Sequence, residues 1–334
     1  MSQGDRTNPG PGDGPDSTIE RRRRLQDRQR ERESRKDESG ADDVAVQAGA
    51  RPQPADMPAQ SLDQPGREAE LGLEPRFMAP GYLGSGKLQD MVALITGGDS
   101  GIGRAVAVLF AREGADVMIV ALSSEDDARA TRQRVEEEGR RCEYLLGDVK
   151  DPDFCRQAVD RSIAAFGRLD ILVNNAAYQQ HTDSLEALPD EQFEETVQTN
   201  LLGYVRMTRA ALPYMRNGAS IINTGSVVGL EGSGQLLDYA ATKGAVHALT
   251  KSLAQNVIDR GIRVNAVAPG PVWTPLNPVD RPAEGVASFG KNTDMKRAAQ
   301  PEEISPAYVY LASPVCSGYV TGIVLPITGS VGAI

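Results

Sequence analysis

The 334-residue chain is poor in the residues that build metal centres and disulfide frameworks: it has two histidines and three cysteines, Cys142, Cys155 and Cys316. The cysteines show neither CxxC spacing nor a companion histidine cluster. No metal site is expected, and the thiols read as packing or surface groups in a reducing compartment. Long hydrophobic runs are also missing. No stretch approaches the roughly 18 apolar residues of a membrane span. The arginine run at 21–24 leads into LQDRQRERES, not into an apolar stretch, so no secretory leader is expected and the chain is placed in the cytoplasm. Surplus positive charge is lacking too. At a net charge of -10 the protein gains nothing from neutralising phosphates, which excludes nucleic acid as its main partner. No internal repeat of 20 to 50 residues is found.

Aromatic residues are absent from residues 1–76, a segment built of Gly, Pro, Asp, Arg, Gln and Ser. Such a stretch cannot bury enough apolar surface to offset the entropy of ordering, so it is expected to be a disordered tail. Within it, IERRRRLQDRQRERESRKDESG reads as a solvated run able to form a transient helix. Aromatics enter with RFMAPGYLGSGK, expected to lie on the domain ahead of its first strand.

What is there, from Lys87 onward, is alternation. Short apolar runs (MVALITGG, ADVMIVALS, CEYLLGDV, LDILVNNAA, SIINTGS, IRVNAVAPG, VTGIVLPITG) are separated by longer amphipathic stretches. Strands apolar on both faces, each followed by a helix, predict a parallel sheet covered on both sides. The expected architecture is one α/β, doubly wound (Rossmann) domain over 77–334. The stretch SLEALPDEQFEETVQTNLLGYVRMTRAALPYMRNG is expected to form two helices.

ALITGGDSGIGRAVAV places glycines where a strand turns into a helix, with the spacing Gly97-xxx-Gly101-x-Gly103. Glycine allows the tight turn and lets backbone N–H groups and the positive helix end approach a pyrophosphate. A dinucleotide is therefore expected, bound by Gly97, Asp99, Ser100, Gly101, Ile102 and Gly103. An acid at the end of the second strand would bond a ribose 2'-hydroxyl and repel a 2'-phosphate. Here Ala121, Leu122, Ser123 and Ser124 come before any acid, which favours NADP over NAD, with Ser123, Ser124 and Arg104 as candidate phosphate contacts. The lack of an arginine directly after the strand keeps NAD open.

DYAATKGAVHALTKSLA carries Tyr239 and Lys243 four residues apart, hence on one helix face. An ammonium beside a phenol favours the phenolate, so Lys243 is expected to bring Tyr239 down toward neutral pH, where it can exchange protons. Thirteen residues upstream, Ser226 ends the preceding strand, where open α/β sheets bind ligands. Asn200 sits inside a helix that offers asparagine no propensity advantage.

Over roughly residues 85 to 334, TGGDSGIG, GDV (147–149), NNAA (174–177), Asn200, Ser226, Tyr239-xxx-Lys243 and PGPVWT together resemble the short-chain dehydrogenase/reductase family, most closely its glucose/ribitol dehydrogenase-like, stress-associated aldehyde-reducing branch. The resemblance implies an enzyme that interconverts a carbonyl and an alcohol with NADP or NAD. Tyr239 would be the acid/base and Ser226 would position the carbonyl. Lys243 would lower the tyrosine pKa and hold the nicotinamide ribose, and Asn200 would anchor a water in a proton relay. Asp148 and Val149 would line the adenine pocket. Asn174 would support the ribose region, with Asn175 and Ala176 beside the cofactor. Pro269, Gly270, Val272 and Thr274 would meet the carboxamide end. The family's NNAG is NNAA here, which adds a methyl at Ala177. Homotetramers are implied as well, through the long central helices and the last strand.

For substrate, the loop AYQQHTDS overhanging the pocket offers Tyr178, Gln179 and His181, and Val228 and Trp273 complete a small mixed pocket suited to a short aldehyde, ketone or sugar. The irregular stretch PGPVWTPLNPVDRPAEGVASFGKNTDMKRAAQP reads as a lid, in which Trp273 either touches substrate or packs under the loop. His247 reads as a packing residue. A function of a different class, a dinucleotide sensor or scaffold with little turnover, is motivated by the long tail; the intact Ser-Tyr-Lys-Asn set argues for the enzyme. The tail is expected to be dispensable for chemistry.

Overall fold

The structure, a computed structural model, describes residues 44–330. Seven strands form its sheet: β1 (Val92–Thr96), β2 (Asp116–Ala121), β3 (Cys142–Leu146), β4 (Ile171–Asn174), β5 (Ser220–Thr224), β6 (Arg263–Pro269) and β7 (Val324–Ile327). All pair in parallel, in the order β3-β2-β1-β4-β5-β6-β7. The chain winds outward from β1 to β3, returns to β1's other side with β4, and winds out again. The crevice between β1 and β4 at their carboxyl ends is the switch point where such sheets take ligands.

The alternation of side chains along each strand explains why both faces had to be apolar. Ile95, Val117 and Ile119 face α1 (Gly101–Arg112), α2 (Glu125–Glu137) and α9 (Pro301–Ala312). Their neighbours Leu94, Met118 and Val120 face α3 (Pro152–Phe166), α5 (Gly203–Ala211) and α7 (Leu237–Val257). Local chemistry sets the helix ends. Asp151 caps α3 by accepting the Asp153 N–H, Pro152 occupies the first turn, and Gly167 ends the helix with φ +80. The buried thiols of Cys142 and Cys155 are pushed up to about 12 and about 11 by burial, as suits packing groups.

The expected pair of helices after β4 is one run. α4 (Asp190–Val197) passes through a π turn, Gln198–Leu202, directly into α5. The π turn passes into Gly203 with helical backbone on both sides (φ -70 at Leu202, φ -55 at Gly203), so that glycine does not end the helix. Three short helices complete the fold: α6 (Val228–Glu231), α8 (Ala283–Ala287) and α10 (Pro314–Ser317). No described helix is long and apolar enough to cross a membrane.

The expected disordered tail needs correction over residues 46–76. The IERRRR stretch lies outside the described residues, but from Val46 the chain forms an extended arm held on the domain. Val46 donates to the Met295 carbonyl at 2.9 Å, Arg51 and Gln53 bind the Glu302 carboxylate at 2.7–2.9 Å, and Leu62 donates to the Pro278 carbonyl at 2.9 Å. Met57 and Leu71 pack with Trp273, Val286, Phe289 and Ala298. The arm has no core of its own; it is ordered by polar groups and apolar side chains of the domain, which composition does not reveal.

Candidate active site

The carboxyl ends of β1, β4, β5 and β6 open on a cavity of about 720 Å³, within the range of small-molecule sites. The turn after β1 forms one wall with Gly97, Asp99, Ser100, Gly101 and Ile102. Gly97 and Gly101 have φ +62 and +49, and a Cβ on Gly101 would lie 2.8 Å from the Thr274 methyl. At Gly103 a Cβ would lie 1.9 Å from the Gly97 carbonyl oxygen, so this glycine serves the closeness of helix to turn and does not itself line the cavity. Burial lifts the Asp99 carboxyl to about 6.

At the end of β2, Ala121, Leu122 and Ser124 reach the cavity and Ser123 does not. Arg104 is not free to meet a phosphate either. Its guanidinium is buried and bonded to Glu68, Asp127, the Thr131 hydroxyl and the Asp99 carbonyl. Both expected contacts are corrected, for different reasons: Arg104 is turned inward between α1 and α2, whereas Ser123 is exposed outside the cavity.

From the other strands, Asp148, Val149, Asn175, Ala176, Pro269, Gly270, Val272 and Thr274 all line the cavity. Asn175 bonds the Gly97 carbonyl at 3.0 Å and so ties the β4 turn to the glycine turn. Asn174 faces away from the cavity, bonding Asn223 and Thr208 at 2.9 and 3.1 Å inside the sheet.

Tyr239, Lys243 and Ser226 come together where α7 crosses the end of β5. Asp238 fixes the start of α7: its carboxylate accepts the Tyr239 N–H at 2.8 Å and the Thr196 hydroxyl of α4 at 2.6 Å. The Ser226 and Tyr239 side chains both line the cavity. Burial raises the Tyr239 phenol above its ordinary value, the nearby Ser226 hydroxyl pulls it down, and the Asp280 charge raises it further. This differs from the expected lowering by Lys243. The Lys243 ammonium lies 5.4 Å from the Tyr239 ring centroid, but it donates elsewhere, to the Thr224 carbonyl at 2.7 Å and the Tyr204 hydroxyl at 3.3 Å. Burial pulls Lys243 down to about 7.

Asn200, on the π turn, is fully buried and does not line the cavity. Its side chain accepts the Tyr178 N–H at 2.8 Å, donates to the Tyr178 carbonyl at 2.9 Å and reaches Thr242 at 3.2 Å. What it visibly holds is the loop after β4.

That loop carries Gln179 and His181 into the cavity wall, and Val228 joins them. The lid lies opposite. Its Asp280 accepts from Gln179 Nε2 at 2.8 Å and from His181 Nδ1 at 2.6 Å. An ionised carboxylate only accepts, so His181 Nδ1–H is the donor in that bond. Trp273, an expected substrate contact, is corrected: it is fully buried, absent from the cavity wall, and donates its indole N–H to the Leu73 carbonyl of the arm at 2.8 Å. Tyr204, Asp238, Asp280 and Glu68 went unnoticed in the sequence. Tyr204 had a local signal, one turn beyond Asn200, and Asp238 directly precedes Tyr239; Asp280 and Glu68 are brought in from distant segments. His247 does pack: its Nε2 accepts the Ser226 N–H at 3.4 Å. Among the described residues no group of three or more His, Cys, Asp or Glu is placed to hold a metal ion.

Residues 97–330 match a family model described as Enoyl-(Acyl carrier protein) reductase. The structure overlays on a short-chain dehydrogenase from Burkholderia cenocepacia J2315 in complex with NADP, with a TM-score of 0.69 and 33% identity, covering 74% of this chain and 100% of that one. The chain belongs to the short-chain dehydrogenase/reductase family. It is therefore an oxidoreductase of that family. Two relatives are each 44% identical to it. One is the NADPH-dependent aldehyde reductase 1, chloroplastic, of Arabidopsis thaliana, over 78% of this chain and 93% of the relative. The other is the glucose and ribitol dehydrogenase of Daucus carota, over 80% and 94%. The branch resemblance read from the sequence is thereby met.

Proposed function

We propose that the protein interconverts a carbonyl and an alcohol on a short aldehyde, ketone or sugar, using NADP or NAD, with NADP preferred. The observation that carries this reading is that Tyr239 and Ser226 line the same cavity as the glycine turn. The cavity fits a dinucleotide: no side chain at Gly97 or Gly101 intrudes on the turn, and a Cβ there would strike Ala176 or Thr274. Gly97, Asp99, Ser100, Gly101 and Ile102 would hold the pyrophosphate end. Asp148 and Val149 would take the adenine, Asn175 and Ala176 the ribose, and Pro269, Gly270, Val272 and Thr274 the carboxamide. When bound, the nicotinamide supplies or accepts hydride.

The chain's own residues handle the proton. Ser226 and Tyr239 donate hydrogen bonds to the carbonyl oxygen, and Tyr239 gives up its proton as charge gathers there. A buried ammonium at Lys243 steadies the resulting phenolate, held in place by the Thr224 carbonyl and the Tyr204 hydroxyl. Asn200 keeps the Tyr178 loop in register beside the pair. The names of the two plant relatives support the substrate classes and the NADP preference.

The test is a panel of short aldehydes and sugars with NADPH and NADH, read at the nicotinamide absorbance, on the wild type and Tyr239→Phe. The variant should lose about 10³-fold in kcat while still binding dinucleotide. Turnover within tenfold of wild type would refute the role of Tyr239, and tight dinucleotide binding with no turnover anywhere on the panel would support the sensor reading instead. We further propose a homotetramer through α4–α5, α7 and β7, the half-buried strand at the sheet edge; a monomeric mass by light scattering would exclude it.

A further inference from the structure

The arm does more than lie on the domain. Between residues 61 and 68 it crosses from the lid to the glycine turn. Ser61 and Leu62 bond the Pro278 carbonyl at 3.3 and 2.9 Å, and Gly66 is pressed on Pro275 and Val279, where a Cβ would come within 2.6 Å of a valine methyl. Gln64, Pro65 and Gly66 form part of the cavity wall. Two residues later Glu68, 3% exposed, turns under the start of α1. One carboxylate oxygen accepts the Gly101 N–H at 2.6 Å and the other pairs with Arg104. The Glu68 N–H donates to Asp127 at 3.1 Å. Arg104 in turn grips the Asp99 carbonyl at 2.6 and 3.0 Å. One carboxylate thus fixes both ends of the segment Asp99–Gly101.

A helix start has unpaired N–H groups that want an acceptor, and its positive end favours an anion. The local candidate, Ser100 at the N-cap, makes no side-chain cap bond. The acceptor comes instead from 33 residues upstream, on a segment that also lines the cavity. Burial lifts the Glu68 carboxyl to about 7 against the pull of Arg104 and the Gly101 N–H. A cost of that kind is out of place in a simple helix cap.

We propose that Glu68 is a positioning residue of the dinucleotide site: by bridging Gly101 and Arg104 it sets the shape in which the glycine turn meets the cofactor's phosphates, while Gln64–Gly66 close the cleft from outside. The N-terminal arm is then part of the cofactor site, contrary to its expected dispensability. This rests on the reading of the cleft as a dinucleotide site. Because Glu68 lies behind the turn and away from Tyr239, it acts on cofactor binding and leaves the proton-transfer pair alone.

The experiment uses the full chain with Glu68→Ala and Glu68→Gln. Binding of NADPH and NADH is measured by titration calorimetry, beside kcat, the KM for dinucleotide and a melting curve. Glu68→Ala should weaken the dinucleotide Kd by roughly tenfold and raise its KM in step, with kcat at saturation within about twofold. Glu68→Gln keeps an oxygen for Gly101 but loses the charge that pairs Arg104; it should fall between, at roughly threefold. If Glu68→Ala does not fold, the glutamine variant alone decides. Kd values within experimental error of wild type in the folded variants, with only the melting temperature lowered, would overturn the inference and make Glu68 a plain structural cap. If the wild type binds neither dinucleotide, the reading of the cleft falls and takes this inference with it.

Discussion

Lys243 is the residue whose surroundings matter most to what the site can do. An ammonium with no carboxylate partner, enclosed by two tyrosine rings and bonded to one carbonyl and one hydroxyl, keeps its charge at a cost. Burial brings it from 10.5 to about 7, so between those values the unfolded chain holds a proton there that the folded chain has released. Through this group stability therefore rises with pH across that window, and the contribution is at its lowest below about 7. In urea unfolding at pH 7 and pH 9, the stability of the wild type minus that of Lys243→Met should grow with pH. An equal difference at both values would refute the assignment. The four-residue spacing from Tyr239 was readable from the helix period alone. The direction in which the ammonium points was not, because the Thr224 carbonyl and the Tyr204 hydroxyl come from β5 and α5.

At the scale of elements, the lid and the loop after β4 are joined by a single carboxylate. Asp280 accepts from both Gln179 and His181, and its side chain has no exposure to water. Asp280→Ala should leave two side chains in the cavity wall unpaired, costing about 1–3 kcal/mol of stability and raising the substrate KM by roughly tenfold with a much smaller change in kcat. Removing the carboxylate also takes away a charge that holds the Tyr239 phenol up. The limb of the pH profile that reports loss of the phenol proton should then move to lower pH in the variant. Unchanged KM and profile would mean that Asp280 only packs the lid. The seven strands were legible because each is an apolar run that ends in glycine, proline or a polar turn. The π turn at Gln198–Leu202 was not, since its residues differ in no way from those of an ordinary helix. Arg104 misled for a related reason: its position in α1 was right, but position along a helix does not say which side the head group takes when two helices press together.

On the scale of the whole molecule, composition judged correctly that residues 46–76 could not form a core and could not tell that they would borrow one. Trp273 is the centre of that borrowing, sandwiched between arm and lid and bonded to Leu73. Trp273→Ala should destabilise by about 3–5 kcal/mol through the cavity it leaves. Trp273→Phe should cost about 1–3 kcal/mol, because the Leu73 carbonyl loses its donor while most of the packing remains. Urea unfolding checks both values, and a loss below about 0.5 kcal/mol in the alanine variant would contradict the buried placement.

The arm's anchor points also impose an order in time. Arg51 meets Glu302 across 251 positions of sequence, and Arg297 reaches Val46 across the same number. During synthesis these two anchors wait 251 residues for their partners. Strands β1 to β6 are made before Arg297 and Glu302, so most of the sheet precedes these two partners. Until Pro278, Arg297 and Glu302 are made, this part of the arm has no partner to hold it, so the outer wall of the cleft is completed after the glycine turn and the tyrosine are already in the chain.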